Sequence, residues 1–154
     1  MDAAWVGVVG AAVGAIAAYP FQALSAKRSD EYARSLSLRA DRVVAYSSFA
    51  DRIMDWRRSQ VIRLLLEIDP PVSEEVAARV KDENRRARAA AWTAYYQVKL
   101  LSGEPKIAEL GEAVIQTTRA MKNALDRTSM DKAGDDVRHS LEDFLDEAAR
   151  QTTT

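Results

Sequence analysis

The uncharged run at the start of the chain constrains it more than any other feature. From Ala3 to Leu24 the sequence AAWVGVVGAAVGAIAAYPFQAL carries no ionisable acid or base over 22 residues. As a helix it would rise about 33 Å at ~1.5 Å per residue, enough to cross a hydrocarbon core of roughly 30 Å. Trp5 and Tyr19 stand near its two ends, where amphipathic rings settle at a membrane–water interface. Pro20 comes late, where a kink or an end costs little. Eleven of the 22 residues are Gly or Ala, so the drive to insert is small. Two other readings stay open: a buried helix of a soluble bundle, and a cleaved leader. A leader needs a basic n-region, and no Lys or Arg precedes Lys27.

The small residues of this run gather on one side of a helix drawn at 100° per residue. Gly7, Gly10, Ala11, Gly14 and Ala18 lie there, while Val6, Val9, Val13 and Ile16 lie opposite. A small-xxx-small face lets two helix backbones approach closely in lipid, so this face is the expected association surface.

Charge is segregated along the rest of the chain. Residues 25–63 carry nine Lys/Arg against five Asp/Glu, residues 64–101 six against six, and residues 102–154 seven against eleven. The basic flank, opening with Lys27 and Arg28, follows the apolar run. The positive-inside rule therefore places the N-terminus outside and the remainder in the cytoplasm. The same basic collar can rest on anionic headgroups. There is no cysteine, which excludes disulfides and thiolate metal sites.

Beyond the run, the few glycines and the helical spacing of apolar residues indicate an all-α domain. One helix is expected from Asp41 to Ile68, with a stripe of Val43, Tyr46, Ala50, Ile53, Val61, Leu64, Leu65 and Ile68, stopped by Asp69-Pro70-Pro71. Ser73 should cap a second helix with Glu74 and Glu75 in its first turn, ending near Ser102 with Gly103 as its stop. Pro105 should open a third, through Ile107, Leu110, Val114, Thr117 and Met121. The stretch SMDKAGDD (129–136) reads as a break before a last helix bearing Val137, Leu141, Phe144, Leu145 and Ala148. The expected fold is therefore all-α: a single transmembrane helix (1–26), a basic juxtamembrane segment (27–40), an up-down antiparallel four-helix bundle (41–150), and a frayed tail (151–154).

Motifs of catalysis are missing. The sequence holds no GxxxxGK[ST], GxSxG or HExxH. His139 is the sole histidine, whereas a di-metal bundle site uses a Glu/His pair on each of two helices, so His139 reads as a surface residue. One constellation stands out: Asp55-Trp56-Arg57-Arg58 and Asp82-Glu83-Asn84-Arg85-Arg86-Ala87-Arg88. Folding the chain about Pro71 sets these blocks side by side. Trp56 should then meet Arg85 and Arg86, with Arg57 and Arg58 beside Glu83 and Asp82. That arrangement reads either as an ion network between helices or as an anionic-ligand patch of Arg57, Arg58, Arg85, Arg86 and Arg88.

The sequence thus points to a membrane-anchored, non-enzymatic helical module without a cofactor. Its expected partners are membrane lipid and either a second copy or another membrane protein. A nucleic-acid- or anionic-lipid-binding module built on the Arg-rich hairpin is the alternative. The association face makes a direct prediction. In an in-membrane association assay of residues 1–28, Gly10→Ile or Gly14→Ile should lower the signal, because a branched side chain then occupies the contact. Val9→Ile on the opposite face should not, and equal effects would remove the association surface.

Overall fold

The computed structural model describes residues 4–69 and 73–153, with side chains from residue 31 onward. The membrane-span residues, including Trp5, Gly7, Gly10, Ala11, Gly14, Ala18, Tyr19, Lys27 and Arg28, lie outside the described side chains. Among the described residues no helix is long and apolar enough to cross a membrane. The elements are helices α1 (Ala4–Ile68), α2 (Glu74–Leu101), α3 (Pro105–Ala120) and α4 (Arg127–Thr153), with a 3₁₀ turn at Met121–Asn123 between the last two. No strand occurs among the described residues. The chain divides into two compact units, residues 1–39 and 40–154. In the first, the described side chains of residues 31–38 are exposed, and Ser35 Oγ donates to the Tyr32 carbonyl one turn back.

The second unit is an all-α bundle, and cross-helix bonds give its order. Arg42 reaches the Leu101 carbonyl and Asn84 reaches Ser59, so α1 and α2 are antiparallel. The Tyr95 hydroxyl meets the Ala108 carbonyl and Glu112, which turns α3 back along α2. Thr117 meets Ser140, which turns α4 back along α3. Tyr46 to Gln151 and Arg57 to Gly134 close α4 onto α1. Successive helices therefore alternate in direction, as short connections require.

Aromatic rings fill the centre. Phe49 and Phe144 are fully buried with ring centroids 4.9 Å apart, and Tyr46 packs edge-on to Phe144 at 5.9 Å. Tyr95 completes the group against Phe49 at 6.2 Å. Around them lie Ile53, Val98, Ile107, Val114, Ile115, Val137 and Leu141. Gly111 is buried in α3, and a Cβ there would stand 3.2 Å from the Tyr95 ring, so its bare backbone makes room for that ring.

The structure differs from the sequence reading at four places. The buried face of α1 runs through Ala45, Tyr46, Phe49, Ile53, Trp56, Gln60 and Leu64, leaving Val43 49% exposed. The larger area of Phe49 and Trp56 turns the helix toward them. Gly103 does not end α2 in a left-handed turn; no glycine with positive φ occurs among the described residues. Instead Ser102 turns extended, and the Arg42 guanidinium takes the Leu101 carbonyl at 2.8 Å. The stretch 129–136 is helix, not a break. Asp126 accepts from the Ser129 N–H at 2.7 Å while Ser129 Oγ accepts from the Asp126 N–H at 3.1 Å. This reciprocal capping box starts α4 at Arg127 and satisfies its first donors. The Ser129 backbone bond, then its hydroxyl, hold the Asp126 carboxyl below its ordinary value. Finally, residues 151–153 are helical rather than frayed, with Gln151 bonded to Tyr46. The cap at Ser73, which accepts from Val76 N–H, the acidic first turn of α2 and Pro105 at the start of α3 stand as expected.

Phe144 is fully buried whereas Leu145 is 40% exposed. In denaturant unfolding of residues 27–154, Phe144→Ala should cost about 3–5 kcal/mol. Leu145→Ala should cost far less. Similar losses at both positions would contradict the packing described.

Candidate functional site

The five arginines proposed as one patch do not gather in one place. Arg57 is half-buried and turns to α4, where its Nε donates to the Gly134 carbonyl at 3.2 Å. Arg58 pairs with Asp55 at 3.8 Å, and Arg86 pairs with Asp82 at 2.7 Å. Arg85 is exposed. Among the described residues no ion pair crosses the hairpin, so the expected network between helices does not form. The reason is local: acid and base three or four residues apart on one helix already face each other, at about 5–6 Å between Cβ atoms. Such exposed pairs contribute little, roughly 0.2–1 kcal/mol.

Two clefts flank the α1–α2 hairpin. In the first, of about 370 Å³, Arg52, Asp55 and Arg58 face Glu83 and Arg86. Three cations and two acids nearly neutralise each other there.

The second cleft, of about 180 Å³, has a different character. Helix α1 contributes Trp56, Gln60 and Arg63; α2 contributes Asn84 and Arg88; Arg119 and Lys122 come from the end of α3 and the 3₁₀ turn. Four cations line it and no carboxylate does. Its polar wall is fixed by bonds to other groups. The Gln60 amide, 3% exposed, donates to the Thr118 carbonyl, and the Asn84 amide donates to Ser59 Oγ at 3.0 Å. Trp56, expected beside Arg85 and Arg86, instead lies with Arg63 and Arg88. Its indole N–H and the Nε–H of Arg63 are buried with no acceptor. A buried donor left unsatisfied costs about 1–3 kcal/mol, so two on one cleft need a reason.

Of this cleft the sequence names Trp56, Asn84 and Arg88 within the paired blocks; Gln60, Arg63, Arg119 and Lys122 lie outside them. A usable signal existed for Gln60, a polar residue at an apolar position of the α1 stripe. For Arg119 and Lys122 there was none, since the register of α3 against α1 is set by packing.

His139 is exposed on α4, with its Nδ1 2.9 Å from the Asp135 carbonyl. Among the described residues no three metal-binding side chains come together. Burial pushes the phenols of Tyr46 and Tyr95 up; Arg42 opposes this at Tyr46, and Glu112 reinforces it at Tyr95. An Arg150 hydrogen bond holds the Glu147 carboxyl below its ordinary value. These shifts belong to packing and surface pairs, away from the second cleft.

The contrast between buried and exposed polar groups is measurable. In equilibrium unfolding, Gln60→Ala should cost about 1–3 kcal/mol, because the Thr118 carbonyl loses a buried donor. Arg86→Ala should stay within about 0.5 kcal/mol, because its ion pair is exposed.

The chain belongs to the KilB plasmid transfer protein family, whose model matches residues 43–152. That span is most of the second compact unit. No curated protein and no solved structure matches the chain.

Proposed function

We propose that this KilB-family chain serves plasmid transfer as a non-enzymatic helical module held at the cell membrane by its N-terminal segment. Membership of a plasmid transfer family points to a plasmid-associated, non-catalytic role. The observation that carries the reading is the division of labour along the sequence. The family match falls on the bundle, and the uncharged run Ala3–Leu24 precedes it with a basic flank on its C-terminal side only. Under the positive-inside rule that flank supports a bundle on the cytoplasmic face. The small-residue face of Gly7, Gly10, Ala11, Gly14 and Ala18 supplies the means to pair with a second copy or with another membrane helix. The bundle interior, filled by aromatic and aliphatic side chains, favours a binding role over a buried reaction centre.

The nucleic-acid reading of the Arg-rich hairpin draws less support. Arg58 and Arg86 each carry an acid partner, and Arg57 is spent on a backbone carbonyl.

Fractionation tests the proposal. The full chain with a C-terminal tag should remain in the pellet after carbonate extraction, and protease added to intact cells should spare the tag. Release by carbonate would remove the membrane anchor. Loss of the tag in intact cells would reverse the orientation.

A further inference from the structure

The charges of the second cleft are arranged for a ligand, and they do not depend on membrane anchoring. We propose that the cleft between α1, α2 and the end of α3 binds a compact phosphoryl oxyanion, held by Arg63, Arg88, Arg119 and Lys122.

Ordinary surface charge does not account for this set. Arg119 and Lys122 sit at the C-terminal end of α3, where cations suit the helix dipole, so those two have a structural reason to be present. Arg88 has no such reason, and Arg63 has only its pair with Glu67 one turn on. Among the described residues Arg88, Arg119 and Lys122 make no ion pair. Arg63 is joined to Glu67 through one terminal nitrogen at 3.0 Å, but Glu67 does not line the cleft, and the Nε–H of Arg63 is left over. Trp56, 2% exposed, forms part of the wall and leaves its indole N–H without an acceptor. The wall therefore offers donors in excess and carries a formal charge of four.

The size and chemistry select the ligand. At about 180 Å³ the cleft is smaller than the roughly 300–1,000 Å³ of pockets that take drug-sized molecules, so it suits one anionic group. A guanidinium fork matches a phosphoryl group with two parallel hydrogen bonds, and a lysine adds a point charge. A concave, low-dielectric wall of one sign focuses that attraction. A carboxylate offers a single negative charge and two oxygens; a phosphoryl group offers up to two charges and three terminal oxygens, which better answers four cations. The group can belong to a free phosphate or to the phosphomonoester headgroup of a lipid such as phosphatidic acid.

The test uses the full chain in detergent and reads the thermal midpoint and tryptophan fluorescence. Inorganic phosphate and glycerol 3-phosphate, the second standing for a lipid headgroup, are titrated at constant ionic strength against sodium chloride and sodium acetate. Phosphate or glycerol 3-phosphate should raise the midpoint where chloride and acetate do not. Stronger binding of glycerol 3-phosphate identifies the headgroup as the source, and equal or stronger binding of phosphate a free ion. Arg88→Gln and Lys122→Gln, both exposed and so compatible with folding, should each weaken binding about tenfold. Arg58→Gln, on the other cleft, should leave it unchanged. Trp56→Phe, which removes the indole that reports on the cleft, should abolish its fluorescence response while the phosphate-dependent rise in midpoint remains. No shift beyond that of chloride, or equal binding by Arg88→Gln, Lys122→Gln and the parent chain, would overturn the proposal.

Discussion

The contact of Phe49 with Phe144, two fully buried rings 4.9 Å apart, joins the first and last helices of the bundle, and the other helices are placed by it. Offset or edge-on ring pairs are favoured over face-to-face stacking, so the contact fixes orientation as well as burial. Tyr46 takes the far edge of Phe144 and Tyr95 leans on Phe49, which brings α2 to the same centre. The Tyr95 ring then needs space on α3, and Gly111 provides it. A side chain at that position would force either the ring or the helix to shift, so the glycine is set by the ring and not by a turn.

Two arginines of α1 perform a second task, and each stands over a glycine. Arg42 takes the Leu101 carbonyl at the end of α2, where a Cβ on Gly103 would come within 2.6 Å of its guanidinium. Arg57 takes the Gly134 carbonyl in α4, where a Cβ would come within 2.8 Å. Hydrogen bonds from a charged donor are stronger than neutral ones, and both tie α1 to a neighbour at a defined register. At both glycines the space a Cβ would fill is taken by the end of a flexible cation. Their conformation is ordinary, since neither has positive φ.

This explains what could and could not be read from the sequence. Helix ends set by local chemistry were legible: Ser73 with its acidic turn, Pro105, and Ile68 before the prolines. The end of α2 falls where Gly103 suggests, but without a left-handed glycine: Ser102 turns extended and Arg42, 59 positions from Leu101, takes the Leu101 carbonyl. The stretch 129–136 is not a break, because at Asp126–Ser129 the polar pair begins a helix. The core was legible where apolar spacing was regular, as in Val137, Leu141, Phe144 and Ala148, while Leu145 of the same expected stripe stays exposed. It slipped on α1, where Phe49 and Trp56 outweigh Val43 and Ala50. The Arg-rich hairpin was placed on the right pair of helices, yet its pairings were wrong. In the hairpin the exposed ion pairs form with a partner one turn away on the same helix.

Along α1 the buried face changes its chemistry. From Tyr46 through Phe49 to Ile53 it is apolar; from Trp56 through Ser59 and Gln60 to Arg63 it becomes a row of donors and acceptors, before Leu64 restores the core. Apolar burial is tolerant of small shifts, because it depends on area. Buried polar groups are not, because each must keep a partner within hydrogen-bond distance or lose the bond while remaining out of water. The Phe49 end is therefore held chiefly by area. The Trp56–Arg63 end adds the buried area of Trp56 and, with it, strict geometric demands. Ser59, Gln60 and Asn84 meet those demands inside the protein through Trp56, Thr118 and one another. Trp56 and Arg63 do not; with Gln60 they line the cationic cleft, together with an unpaired arginine on α2. The polar segment thus ends on two buried donors whose residues border the cleft, and the cations around them are the charge that an anion from solution would meet.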